Sequence, residues 1–440
     1  MKRASIAAMS IAVATPWALH AESGNVEIYG TINVDAEAVE ANGATPASVH
    51  PANQLGTAPT GIDVPHRDRV TSNSSNIGFR GAQPLGGGLR AFFQIESAIG
   101  FDNQATFGTN TANGSPVGGG FATRNTNVGV DGAWGRVFLG QWDTPYKVIS
   151  GAVDPMYFTG ITYTGAIIGS PGFGVAPVTN GNVTLNAAGT TYANISNASF
   201  ERRQGNSAQY WTPPYGGLTG KLAYSFNEGK SPSSGSVTHV NPRIWSANLE
   251  YDKAPLYLAG GYEVHLDYFG LSALVPAGQA VPVTAASPTA TASSRDSGIK
   301  LVARYGLRKT RLGLIYERLV YDQDNSAAAP SAFKEYRRGA FAFTLMHEIG
   351  PGTARALYGR AQSGTCQLVG GAACVADALG AKQLSLGYSY SYSERTDLYG
   401  FYTHVGNDAN ATYQFANGAG IGAAAGAASI GYLLGIRHTF

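Results

Sequence analysis

The chain is 440 residues long with 58 Gly, 24 Tyr, 18 Phe and only 13% charged residues, a mixture poor in helix formers and rich in turn and strand residues. Long apolar runs are scarce, so a buried hydrophobic core is not its organising principle. Beyond the first residues no run of about eighteen apolar side chains could cross a membrane as a helix. Lys+Arg 30 against Asp+Glu 28 gives no basis for a general affinity for nucleic acid.

Lys2 and Arg3 precede an apolar stretch over 4–19, followed by Ala21. That reads as a secretory signal peptide over 1–21, with an N-terminal helical anchor as the alternative. Leu19 stands where a small residue is usual, which leaves the cleavage position soft. Removing Lys2 and Arg3 takes Lys+Arg from 30 to 28 against 28 Asp+Glu, a formal net of zero. No linker divides 22–440, which is expected to be one domain. An exported chain without helical spans can enter a membrane only as a closed β-barrel, because every backbone polar group must be satisfied within it.

Period-two alternation marks strands over 26–38, 76–82, 89–100, 121–131, 136–146, 206–213, 218–227 and 243–252. It continues over 256–269, 297–308, 311–322, 335–348, 353–362, 382–394, 397–405 and 428–440. These are about sixteen segments, the even number a single-chain bacterial barrel with both termini on one side requires. Short connections rich in Gly, Pro or charge (83–88, 132–135, 214–217, 253–255, 309–310, 349–352, 395–396) alternate with long low-complexity ones such as 271–296 and 410–427, as expected of two unlike rims.

The segments differ in how clearly they assign faces. In 121–131, Asn125 and Asn127 fall on the expected lipid side if Arg124 faces water. In 297–308, Lys300, Arg304 and Arg308 share a face opposite Ile299, Leu301, Ala303, Tyr305 and Leu307. Lys or Arg on the lipid face costs about 2–4 kcal/mol at mid-membrane, so the charged face is expected to line a wet, basic lumen. Segments 311–322 and 353–362 mix apolar groups on both faces, for which a bulge or contact with another subunit is the expected reason. In 382–394, Leu384, Leu386, Tyr388, Tyr390 and Tyr392 oppose Gln383 and a row of serines. At the end, Ile430, Tyr432, Leu434, Ile436, His438 and Phe440 face lipid, while Gly431, Gly435, Arg437 and Thr439, with the apolar Leu433 among them, face water.

Cys366 and Cys374 lie in a Gly/Ala-rich loop of an exported chain, where disulfides persist. A bridge worth roughly 2–3 kcal/mol in the entropy model is the expectation, with two free thiols the alternative. Metal binding is not indicated, since the loop holds no His.

Catalytic signatures are only approximated. Residues 217–222 resemble a phosphate loop, but Tyr215 replaces its first glycine and Leu222 its Ser/Thr. Residues 418–423 fit a loose dinucleotide pattern with no βαβ unit around it. The eight histidines are scattered. Glu96, Asp131, Glu250, Glu263, Asp267 and Glu317 could act as catalytic carboxylates; as wall residues paired with arginines they need no such role. No cofactor is implied.

The residues also carry a specific likeness. Val26-Glu27-Ile28-Tyr29-Gly30, Asn76-Ile77-Gly78-Phe79-Arg80-Gly81, and the glycine turn leading into Leu89-Arg90-Ala91-Phe92-Phe93-Gln94-Ile95-Glu96 look like the first three strands of one family. Val128-Gly129-Val130 through Trp134-Gly135-Arg136-Val137-Phe138-Leu139-Gly140-Gln141 looks like its fourth and fifth, and Gly435-Ile436-Arg437-His438-Thr439-Phe440 like its closing strand. By these motifs the chain resembles the Gram-negative general porins, most closely their beta-proteobacterial branch.

The resemblance implies an all-β, 16-stranded antiparallel transmembrane barrel in the bacterial outer membrane. It implies a homotrimer among outer-membrane lipid and lipopolysaccharide, passing small solutes and ions by diffusion. Its third long loop, here 147–203, folds inward and opposes acidic groups to an arginine ladder. Carried over by position, the ladder is Arg80, Arg124 and, in a shifted register, Arg202 or Arg203. Arg136, Lys300, Arg304, Arg308, Arg437 and Glu96 are the further charges expected to line the pore. The loop departs from the family pattern: Ser170-Pro171-Gly172-Phe173-Gly174 replaces its Pro-Glu-Phe-Gly element, and Asp154 is its only carboxylate before Glu201. Asn76 and Gln141 stand where relatives commonly carry arginine. Tyr157, Phe158, Tyr163 and Phe173 make the loop aromatic; they serve either to pin it to the wall or to favour less charged solutes. Strong ion selectivity is therefore not expected. A substrate-specific channel for aromatic or organic-acid nutrients is the alternative, and an outer-membrane barrel enzyme or adhesin is the alternative of another class. Residues 37–75 are expected to latch over or cap the subunit contact.

Overall fold

The structure, a computed structural model, describes residues 26–101, 121–157, 159–172, 198–227, 241–275, 291–326, 328–416 and 420–440, with isolated pieces at 184–185, 192–193 and 230. The expected signal peptide, Phe158 and Phe173 lie outside these residues.

Alternating side chains commit the chain to strands, and antiparallel ladders close them into a barrel. Eighteen hydrogen-bonded segments form one sheet; two neighbouring pairs each act as a single wall strand, which leaves sixteen. In chain order the first eight are β1 (Val26–Asn42), β2 (Val64–Ser72 continued by Asn76–Gly86), β3 (Leu89–Ala98), β4 (Thr126–Gly132), β5 (Gly135–Asp143), β6 (Arg203–Trp211), β7 (Leu218–Ser225) and β8 (Arg243–Lys253). The others are β9 (Leu256–Leu266), β10 (Ala292–Leu307), β11 (Thr310–Asn325), β12 (Phe333–Ile349), β13 (Gly352–Ala361 continued by Thr365–Leu368), β14 (Ala381–Ser393), β15 (Thr396–Asn407) and β16 (Ala428–Thr439). Each pairs antiparallel with the next, and β1 closes on β16 from Thr31↔Thr439 to Asn42↔Ala428. Closure leaves no unpaired edge for the membrane to meet.

The faces separate as the alternation requires. On β14, Leu384, Leu386, Tyr388, Tyr390 and Tyr392 are exposed on the outside, whereas Gln383, Ser385 and Ser389 are buried inside. On β10, Ile299, Leu301, Tyr305 and Leu307 point outward and Lys300 inward. Tyr432, Leu434, Ile436 and Phe440 are exposed at the end of the chain, and Leu433 is buried.

Four expectations need correction. The 37–75 segment contains wall: Val64–Ser72 pairs with β1 from Val34↔Ser72 to Ala41↔Val64. Its polar stretch crosses the mouth of its own barrel, where Thr45 N donates to Ala425 O (2.8 Å), Leu55 N to Val375 O (2.9 Å) and Val375 N to Asn53 O (2.9 Å). Arg308 belongs to the tight turn after β10 and lines no wall, since the strand stops at Leu307. Arg124 precedes β4, so parity with it misassigned the asparagines; Asn127 is buried on the inner face and Val128 is exposed outside. Segment 311–322 has neither bulge nor need of another subunit. Ile315, Leu319 and Tyr321 are apolar on the inner face of β11 because loop residues cover them, as where Tyr321 donates to Ala198 O.

One close approach fixes the seam. On the inner face Tyr399 of β15, Gly435 of β16 and Asp35 of β1 are register partners in a row. With no side chain on Gly435, the Tyr399 ring lies over it and the Tyr399 hydroxyl donates to Asn33 Oδ1 at 2.6 Å.

Candidate functional site

The inner wall and the segment that covers it form the site. After Asp143 the chain leaves the wall: the Thr144 side chain accepts from Lys147 N and Pro145 takes the first helical position, where its missing N–H costs nothing. The single turn α1 (Pro145–Val148) is followed by 3₁₀ turns at Ile149–Ala152 and Thr164–Ala166. From here to Arg202 the described loop residues are almost all buried, Ile149, Met156, Ile161, Ile167, Ile168 and Phe200 completely.

The loop is hydrogen-bonded to inward-facing groups from β8 round to β15. Asn248 Nδ2 donates to Pro145 O (2.7 Å) and Tyr146 N to Ser246 Oγ (3.0 Å). Arg304 Nη1 donates to Ala152 O (3.2 Å), Arg355 Nη1 to Pro155 O (2.6 Å), Gln383 Nε2 to Thr162 O (3.1 Å) and Arg338 Nη2 to Ser170 O (2.6 Å). The break in β2 frees Asn73, whose Oδ1 accepts from Gly160 N at 2.8 Å.

Between loop and wall lies a buried ionic cluster. Lys300 is fully buried, with Nζ paired to Glu201, 2.8 Å from Ser150 Oγ, 3.8 Å from Glu317 Oε2 and 4.1 Å from the Tyr146 ring centroid. Tyr146 donates to Glu317 Oε2 (2.9 Å), Gly169 N to Glu317 Oε1 (2.8 Å), and Tyr163 to Glu201 Oε2 (2.9 Å). Burial and then the adjacent carboxylates, Glu317 for Tyr146 and Glu201 for Tyr163, hold both phenols well above their ordinary pKa, so both stay donors. At the loop's far side two guanidinium groups approach the Tyr157 ring, Arg355 at 4.2 Å and Arg437 at 5.2 Å, and the Tyr157 hydroxyl donates to Asp397 Oδ2 at 3.0 Å.

The wall from β1 to β8 has a different character. Arg80 holds Glu27 in a two-point pair (2.8 and 2.6 Å), both side chains more than half exposed. Arg124 pairs with Glu96 (2.6 Å), which also accepts from Tyr29 at 3.0 Å. Asp143 receives Lys147 (2.9 Å) and Arg203 (3.4 Å), and Lys221 reaches Glu250 (2.6 Å). Asp131 is shared by Arg90 and Arg136, each at 2.8 Å.

The residues singled out by sequence therefore separate into groups. Arg80, Arg124, Glu96, Arg136 and Arg203 stand on or beside the β1 to β8 wall. Lys300 is under the loop, and Arg202 is fully buried with its guanidinium 5.0 Å from the Tyr268 ring. Asp154 faces its own loop, its Oδ1 accepting from Met156 N at 2.9 Å. Arg304 is partly exposed between Asp252 (3.2 Å) and the Tyr257 ring (4.9 Å). Cys366 and Cys374 form a disulfide, Cα to Cα 5.7 Å. Arg338, Arg355 and Asn73, which hold the loop, were missed. For the arginines the signal was a cation on an otherwise apolar inner face, and for Asn73 there was none.

A sequence profile of Gram-negative porins matches residues 5–410. The chain is 26% identical to outer membrane porin protein 32 of Delftia acidovorans over 371 residues, 84% of this chain and 85% of that one. It is 28% identical to an outer membrane porin protein of Bordetella pertussis over 198 residues, a match that spans 42% of that relative. Among solved structures it is similar to the anion-selective porin from Comamonas acidovorans (TM-score 0.63, 19% identity, 95% of this chain and 100% of that one). It is also similar to the trimer form of in-vitro folded OmpT from Vibrio cholerae (TM-score 0.53, 13% identity, 95% and 99%).

Proposed function

Since the chain belongs to the Gram-negative porin family, we propose that its outer-membrane barrel is a passive channel for small hydrophilic solutes and ions, with the water path running along the β1 to β8 wall. Solutes enter between the long loops, pass between the covering loop and the paired charges of that wall, and leave at the short-turn rim. The concentration gradient supplies the driving force. One observation carries the location: Arg80, Glu27 and Arg90 keep half or more of their side-chain surface exposed, while Lys300, Glu317 and Arg338 across the barrel keep none. Among the described residues, the pairs named above on or beside this wall bring seven cations to five carboxylates. A surplus of two charges, the rest paired, favours a weak preference for anions.

Reversal potentials across planar bilayers under a salt gradient test this. Arg80→Ala and Arg124→Ala each free a carboxylate and should move the potential toward cations; unchanged values for both would take these residues out of the site. Absence of conductance, with hydrolytic or host-binding activity instead, would favour a barrel enzyme or adhesin. The trimeric form of the solved Vibrio relative supports a homotrimer, which chemical cross-linking in outer-membrane preparations would resolve.

A further inference from the structure

The diffusion reading uses the inner wall only as charge, but part of that wall is also aromatic. Ladder pairing sets Arg90, Asp131, Arg136, Trp211 and Lys221 side by side, one on each strand from β3 to β7. Partners in such a row share a face with Cβ atoms about 5 Å apart. The row reads cation, anion, cation, indole, cation. Behind it Phe92, Gly129 and Phe138 form a second row. A side chain at Gly129 would collide with Phe138; without one, the Phe92 and Phe138 centroids approach to 6.3 Å. Phe138 lies 5.3 Å from Trp211 and 5.4 Å from Trp142, and the two indoles are 6.0 Å apart and tilted at 71°. Arg136 lies 4.3 Å over the Phe92 ring and Lys221 Nζ 5.0 Å over Trp211.

Two properties of this patch point to a ligand. Trp142 and Trp211 are only half-buried on the lumen side, so ring surface remains uncovered at a wall that elsewhere presents charge to water. The charge is also unbalanced: Arg90, Arg136 and Lys221 face only Asp131 and Glu250, and the Arg90 side chain is half exposed. Both carboxylates are held by cations, so the patch offers few acceptors for sugar hydroxyls. It offers aromatic surface beside a surplus positive charge, which suits a planar ring bearing one negative charge.

We propose that this row is a binding station for small aromatic carboxylates: the ring stacks against Trp211 and Trp142 while the carboxylate meets Arg136 and its neighbours. The proposal rests on the channel reading and sharpens it, since a solute held on the wall crosses by saturable steps. Single-channel recording in potassium chloride with added benzoate tests it, using cyclohexanecarboxylate as a control of equal charge and similar size without a π face. Benzoate should interrupt the current with concentration-dependent dwell times, and the control should do so markedly less. Trp211→Leu should weaken benzoate block roughly two- to tenfold and Trp211→Phe should restore most of it. Arg136→Gln should weaken block by benzoate when dwell times are measured against the variant's own open-channel current. Equal block by both acids, or dwell times indifferent to Trp211→Leu, would overturn the proposal. Calorimetric titration of benzoate into the detergent-solubilised protein decides the same question without conduction. No current in potassium chloride would refute the channel reading alone, whereas current without benzoate binding would refute only the station.

Discussion

Replacing Lys300 by methionine removes one charge from a fully buried site. Its amine is fully buried between Glu201 of the loop and Glu317 of β11. Glu317 would retain Tyr146, Gly169 N and Arg338 Nη2 at 3.5 Å. Glu201 would retain only neutral donors among those resolved, Ser150 at 3.1 Å and Tyr163 at 2.9 Å. Truncating one partner of a buried pair typically costs about 3–5 kcal/mol because the other charge is stranded. The barrel ladders do not involve this side chain, so the cost should fall on docking of the loop. At about 1.4 kcal/mol per factor of ten, the docked-to-released ratio should fall on the order of a hundredfold or more. Lys300→Met should give noisier open-channel current in planar bilayers and a lower heat-denaturation midpoint by circular dichroism. Adding Glu201→Gln removes the stranded charge and should recover most of both. A single variant as quiet and as heat-stable as the parent, or a double variant worse than the single, would refute the claim that this pair holds the loop.

Other consequences are as direct. Folded Tyr146 and Tyr163 are held above the phenol's ordinary value, while the unfolded groups ionise near pH 10. The stability they contribute should be complete below about pH 10 and decline above it, and a melting midpoint that fell between pH 7 and 9 in parallel with their ionisation would contradict this. Gly435→Leu would drive the Tyr399 ring off β16 and break its bond to Asn33; overpacking of this kind costs about 1–3 kcal/mol. Its urea midpoint in vesicles should drop, and an unchanged one would mean that the seam tolerates side chains. Breaking the disulfide with Cys374→Ser should loosen the segment that Leu55 and Asn53 bond at Val375. Proteolysis there should rise while the barrel stays folded, and equal protection in both forms would make the bridge irrelevant to the mouth.

The sequence by itself determined the wall. A period of two with lipid outside leaves only one face where Lys300, Arg304 or Arg437 can go, so strands, faces and the alternation of tight and long connections were readable from residues such as Leu384 to Tyr392. Register errors came where a strand ended: Arg308 sits one residue past β10 and Arg124 precedes β4, and parity has no meaning outside a strand. What only the tertiary structure decided is which inward groups meet water. An inward position on a barrel is wet or dry according to what lies across it, and that depends on contacts between residues as far apart as Ser150 and Lys300, or Pro155 and Arg355. The same inward register therefore leaves Arg80 exposed and Lys300 buried, and turns Ile315, Leu319 and Tyr321 from apparent breaks in the pattern into the surface on which the loop packs.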